Sequence, residues 1–186
     1  MKLNILLLAL SVAILMGCKK EDDGVSLPDT LHLDGENQSA PILPAGIYEA
    51  AARFDANLTS EYTGRKLESV SFFMGEIPAA CVVKIYDEGT PEEPGALLYS
   101  ADVRSQLSSI DWNEHFLSDP VEITGKDLWI AIRVAHNGDL QSVGCDTGPA
   151  VTDGDWLFQN SDNDWLPLRQ RLPININWNI RGHVGE

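Results

Sequence analysis

Beyond Pro28 the chain is built from short stretches in which apolar and polar residues alternate, separated by Gly, Pro, Asn and Asp. The clearest runs from Ile174 to Arg181: Ile174, Ile176, Trp178 and Ile180 share one face, and Asn175, Asn177, Asn179 and Arg181 the other. A period of two predicts a strand with one face in the core and one in water. The same reading predicts a strand over Asp127 to Val134, with Leu128, Ile130, Ile132 and Val134 on one face and Trp129, Ala131 and Arg133 on the other, where Trp129 either serves the second sheet or stands exposed. Three further stripes are Val70, Phe72 and Met74; Cys81, Val83 and Ile85; and Leu97, Tyr99, Ala101 and Val103. Weaker strands are expected over 46–54, 113–123, 155–159 and 31–33. No long segment shows apolar residues at helical spacing. Eight or nine short strands with turns between them predict an all-β fold, an antiparallel β-sandwich of jelly-roll-like layout. The stretch from Glu88 to Gly95 is too rich in Pro and Gly to be anything but a loop.

The start of the sequence follows another pattern. Met1 and Lys2 precede an apolar run from Leu3 to Met16, interrupted only by Asn4 and Ser11. That is shorter than the ~20 residues of a spanning helix and suits the apolar region of a signal peptide. The run closes in Leu15-Met16-Gly17-Cys18, which resembles the lipobox of bacterial lipoproteins. The resemblance implies cleavage after Gly17 and a lipidated Cys18 carrying diacylglycerol and an N-acyl chain such as palmitate. Residues 1–17 are then the signal peptide, 18–28 the lipidated N-terminus and tether, and 29–186 the folded domain. An ordinary signal peptide with an incidental cysteine is the alternative. The Lys19-Lys20-Glu21-Asp22-Asp23 cluster resembles the signal that takes some Gram-negative lipoproteins to the outer face of the outer membrane. A solvated tether explains the same charges.

Composition narrows the partners. Acids outnumber bases 28 to 13, a net charge of −15. With no basic stripe to neutralise phosphates, nucleic acid is not expected as a partner. The 186 residues suit one domain of ordinary apolar content.

Motifs that carry chemistry are scarce. No HExxH, GxSxG, P-loop or GxGxxG pattern is present, and His32, His115, His136 and His183 are scattered. Calcium is the candidate ion. Asn160, Asp162 and Asp164 have the 1, 3, 5 oxygen spacing that begins an EF-hand loop, with Asp153 and Asp155 nearby. Against this, Trp165 stands where that loop needs Gly and Arg171 where it needs Glu, and an Asn/Asp turn accounts for the same residues. Trp156 and Trp165 flank the acidic stretch and are the candidates for a ligand platform; capping the core is the other role for such residues. Cys81 and Cys145 form an even pair in an oxidising compartment once Cys18 is lipidated. A bridge would stabilise by roughly 4 kcal/mol in the chain-entropy model, and two buried free thiols are the alternative.

Several stretches together resemble a known module. They are 46–54, 67–75, Val83 to Asp87 with its Thr-Pro and Pro-Gly loop, Asp127 to Ala131, Gly144 to Ala150, Gly154 to Trp156, and Trp178 to Arg181. The likeness is to jelly-roll modules of secreted and cell-surface proteins, similar in layout to the cleaved-adhesin domains of gingipain-type haemagglutinins. It spans about Leu31 to Arg181. The lipobox, this likeness and the missing catalytic motifs together lead to the expectation of a surface lipoprotein, not an enzyme, whose sandwich binds an extracellular protein or glycan. The alternative is a hydrolase, or an accessory subunit of a secreted peptidase or glycan-uptake system.

Overall fold

A computed structural model describes residues 29–185. The expected signal peptide and the whole expected tether, Cys18 included, lie outside the described residues. Ten strands follow one another: β1 (Thr30–His32), β2 (Gly46–Phe54), β3 (Lys66–Met74), β4 (Ala80–Tyr86), β5 (Leu97–Asp102), β6 (Asp111–Glu122), β7 (Leu128–His136), β8 (Trp156–Gln159), β9 (Asp164–Pro167) and β10 (Ile180–Gly185). Among the described residues helix is confined to α1 (Ala56–Thr59), α2 (Leu168–Arg171) and two single turns. The expectation of an antiparallel sandwich is met: one sheet is ordered β1-β10-β3-β6, the other β5-β4-β7-β2-β8-β9, and all pairings are antiparallel.

The core fills the space between the sheets. Leu67, Val70, Phe72, Met74, Ile180 and Val184 come from the smaller sheet, and Tyr48, Ala50, Phe54, Val83, Ile85, Ile130 and Ile132 from the larger. In β4 the alternation read from sequence is the alternation observed; in β7 Leu128, Ile130, Ile132 and Val134 face the core as read, while Trp129 and Ala131 on the other face are buried as well. In β3 the alternation slips between Leu67 and Ser69, where the partner on β6 jumps from Val121 to Phe116. Pro120 lies in that bulge of an edge strand, where its missing N–H costs no ladder bond. The sheets approach closely at Gly182, where an added Cβ would stand 2.7 Å from Leu67 Cδ1 and 2.8 Å from Ile130 Cδ1.

The strand with the strictest alternation is the one that departs most. Only Ile180 and Arg181 of the expected 174–181 strand are paired in β10, which runs on to Gly185. Residues 174–179 form an extended segment with a single bridge, Trp178 to Cys145. Asn177 and Asn179, expected to face water, are 3% and 0% exposed. Asn177 Nδ2 donates to Asp146 Oδ2 (2.9 Å) and Pro149 O (3.1 Å), and its Oδ1 accepts from Val151 N (2.7 Å). Asn179 Nδ2 donates to Asp34 Oδ2 (2.6 Å) and Gly35 O (3.0 Å), and its Oδ1 accepts from Asn37 Nδ2 (2.9 Å). A buried amide is tolerated when its donors and acceptor are all answered. These two tie down the loops around 34–37 and 146–151.

Candidate functional site

The outer face of the larger sheet has its own aromatic cluster. Ala51 and Ala131 stand opposite each other on β2 and β7, and opposite Trp156 on β8 and Lys84 on β4. The two small side chains leave room for indoles: Ala51, Ala131, Trp129 and Trp156 form one buried group, with Tyr86 and Trp165 packed against it. Ring centroids are 5.2 Å apart for Trp129 and Trp156, 5.8 Å for Trp129 and Trp165, and 5.4 Å for Phe158 and Trp165. Such separations suit tilted aromatic contacts.

The 88–95 loop crosses this cluster. Trp129 Nε1 donates to Glu88 O at 3.3 Å, so the indole is wholly buried beneath the loop. The loop closes on itself through Asp87 N to Ala96 O, Gly95 N to Asp87 O and Thr90 N to Glu93 O, while Thr90 Oγ1 accepts from Glu92 N and Glu93 N. Gly89 has φ +57°, and a Cβ there would lie 2.3 Å from Glu93 O and from Gly95 N. Only glycine meets both demands at once.

Two clefts open beside the loop. The first, about 760 Å³, lies between Thr90–Glu93 and Trp156, Asp164, Trp165 and Gln170. The second, about 370 Å³, lies between Pro94–Gly95 and Arg133, Phe158, Asn160 and Asn163, with Glu49 and Tyr86 on its wall. Trp165 lines both, half-buried, and so joins them into one trough.

Charge within the trough is arranged in opposing zones. Glu49 is 3% exposed. Its carboxylate accepts from Lys84 Nζ (2.8 Å), Arg133 Nη1 (2.5 Å) and Tyr86 Oη (2.6 Å). Burial alone would raise its pKa, but the bonds from Lys84, Tyr86 and Arg133 outweigh burial and hold it below the usual carboxylate range. Tyr86 is pushed far up by burial and by its bond to Glu49, so it stays a neutral donor. At the far end of β2, Arg53 is clamped between Asp127 (2.6 Å) and Asp153 (3.0 Å). The first cleft carries the exposed acids Glu92, Glu93 and Asp164.

The five residues expected to hold calcium lie in one region, yet their carboxylates turn to separate partners. Asp153, at φ +70°, faces Arg53 and accepts from Trp156 Nε1 at 3.0 Å. Asp155 is buried, ion-paired with Arg169, and its pKa is raised by burial. Asp162 pairs with Arg171 at 2.5 Å, and the bond from Arg171 lowers its pKa. Asp164 and Asn160 line the two clefts. Among the described residues no group of three or more His, Cys, Asp or Glu side chains is placed to hold a metal ion. The acidic stretch is a β8–β9 hairpin braced by arginines, with Asn163 in the left-handed region that Asn tolerates at turns.

The two cysteines are buried free thiols, not a bridged pair. Cys81 faces the core from β4, and burial pushes its pKa up to about 12. Cys145 Sγ lies 3.6 Å from Ser39 Oγ, and its pKa too is raised, by burial first. His136, also buried, directs Nδ1 to Leu43 O (3.2 Å) and Nε2 to Ser142 Oγ (2.8 Å).

Of the platform candidates, Trp165 reaches both clefts and Trp156 is 8% exposed at the floor of the first. Sequence reasoning missed Glu49, Lys84, Tyr86 and Arg133. Their signal was present: each charge sits on the polar face of a strand whose other face is core, but only strand register shows that they meet.

The fold and trough define a class, an antiparallel sandwich with an aromatic cleft on its outer sheet face. No protein-family model matches the chain, and no curated protein matches it. Among solved structures it is similar to the clostridial cysteine protease Cwp84 after propeptide cleavage, at 15% identity and TM-score 0.54, over 86% of this chain and 41% of that one. The aligned part is less than half of the protease chain, and at this identity the likeness is one of fold. Of the expected resemblance to cleaved-adhesin domains, the structure bears out the all-β sandwich. One expectation is corrected by the comparison. The chain was expected not to be an enzyme, yet its fold recurs within a cysteine protease, so fold and missing motifs do not separate a binding module from an enzyme.

Proposed function

We propose that this chain is a lipid-anchored surface protein whose sandwich binds a glycan in the trough beside the 88–95 loop. The observation that carries the reading is Trp165, half-buried and shared by two adjoining clefts. A sugar ring offers an apolar face to an indole and hydroxyls to its rim. The rim supplies Asn160, Asn163 and Gln170, whose amides both donate and accept. Two linked clefts suit a chain of sugars better than a single one. The lipobox at Cys18 and the acidic cluster behind it support attachment to the outer membrane with the domain facing outward; among the described residues no helix is long and apolar enough to cross a membrane.

The test is glycan-array binding by the full chain, with Trp165→Ala beside it. Trp165→Ala is expected to lower affinity for any bound glycan about tenfold or more, a loss of roughly 1.4 kcal/mol. Undiminished binding by the variant would place the ligand elsewhere, and binding to proteins alone would overturn the glycan reading.

A further inference from the structure

Arg133 is incompletely used by the fold. Its side chain makes one hydrogen bond among the described residues, Nη1 to Glu49 Oε1, and is 30% exposed on the second cleft. A guanidinium carries five N–H donors in a planar fork. The Nε and Nη2 donors on the far edge therefore have no protein acceptor. The buried cluster beneath also carries excess charge, since Glu49 is the single carboxylate against Lys84 and Arg133. One positive charge is left over, in a protein of net charge −15.

The surrounding groups decide what that charge meets. Phe158, Asn160, Asn163 and Trp165 complete the second cleft, with no carboxylate but Glu49. The acids of the trough, Glu92, Glu93 and Asp164, belong to the first cleft. An anionic group is thus repelled from the first cleft and drawn to the second. There the free edge of Arg133 matches the two oxygens of a carboxylate, the pairing that a planar fork makes best.

We propose that the second cleft is a carboxylate subsite: the glycan bound in the trough carries a carboxylated sugar, seated on Arg133, next to a neutral sugar in the first cleft. This rests on the glycan-binding reading and gives it a substrate class. Trp165 between the clefts stacks on the chain, and Arg133 selects the acid. Glu49, Lys84 and Tyr86 act through Arg133, holding its guanidinium in place.

The experiment compares the full chain on an array of uronate-bearing, sialate-bearing, sulfated and neutral oligosaccharides, and then measures affinities for one carboxylated oligosaccharide and its carboxyl-reduced counterpart. The expected result is a preference for the carboxylated form of about tenfold, the size of one charge-assisted pairing. Arg133→Gln is expected to abolish the preference. Arg133→Lys, which keeps the charge and loses the fork, is expected to retain only part of it. Lys84 and Tyr86 still satisfy Glu49 in both variants, and circular dichroism checks that they fold. The uronate and sialate arms separate the two sources of carboxylate. Equal binding of carboxylated and neutral forms, binding to sulfated glycans alone, or a preference that survives Arg133→Gln would each overturn the subsite while leaving glycan binding intact. Binding to no glycan would overturn both.

Discussion

Asn177 and Asn179 act as pieces of main chain. Each answers loop donors and acceptors that no neighbouring strand reaches. Removing either amide strands several buried polar groups, at about 2 kcal/mol. For a domain of this size that is a fall of roughly 4–8 °C in Tm. Asn175 is exposed and makes one bond, to Ala150 N at 2.6 Å. Thermal melts of Asn177→Ala and Asn179→Ala are therefore expected to drop well below that of Asn175→Ala; equal melts would refute the bracing role. His136 supplies a second test. Burial lowers its pKa from the ordinary 6.5, against weaker opposing contributions from Leu43 O, Pro44 O and Glu76. The unfolded imidazole then takes up its proton at higher pH than the folded one. Stability is level above pH 6.5 and declines as the pH falls below it. Tm measured from about pH 7 down to about pH 5 is expected to fall, and His136→Gln to flatten part of the fall. His115, also lowered by burial, accounts for a share that the variant leaves in place.

Among the larger elements the 88–95 loop matters most to the site, because it roofs Trp129 and forms one wall of both clefts. Its shape depends on Gly89, whose positive φ and close contacts admit no side chain. Gly89→Ala is expected to cost about 1–3 kcal/mol of strain at that position, to open the loop and to weaken glycan binding. Limited proteolysis reads the opening, with cleavage expected within 88–95 in the variant before the wild type. Identical digestion would show that the loop tolerates the added methyl. The β8–β9 hairpin forms the opposite wall. Its acidic spacing invited a calcium reading, whereas Arg171 and Arg169 neutralise it from α2. In sequence those arginines lie downstream with no periodic signal, so the pairing was legible only after folding.

At the scale of the whole molecule, the anchor reading is open to direct test. With full chain expressed in a Gram-negative host, Cys18→Ala is expected to abolish palmitate labelling and release the protein from the membrane fraction; unchanged labelling would end that reading. The sandwich itself was largely written in the sequence, because an alternating strand needs one wet and one dry face and few folds satisfy many such strands. The stripes of β4 and β7 predicted their inward residues, the run over 46–54 predicted β2 as a strand, and the glycines and prolines of 88–95 predicted the loop. What alternation leaves open is which strands become neighbours, since that depends on register and closure over long separations. Only the tertiary structure brought Glu49, Lys84 and Arg133, from β2, β4 and β7, onto one face. It also turned the asparagines of 174–179 inward, because loop main chain arriving from elsewhere needed partners there. Local pattern determines which way a side chain faces within a strand. The site arises from side chains far apart in sequence, and their meeting is decided by how the sheets assemble.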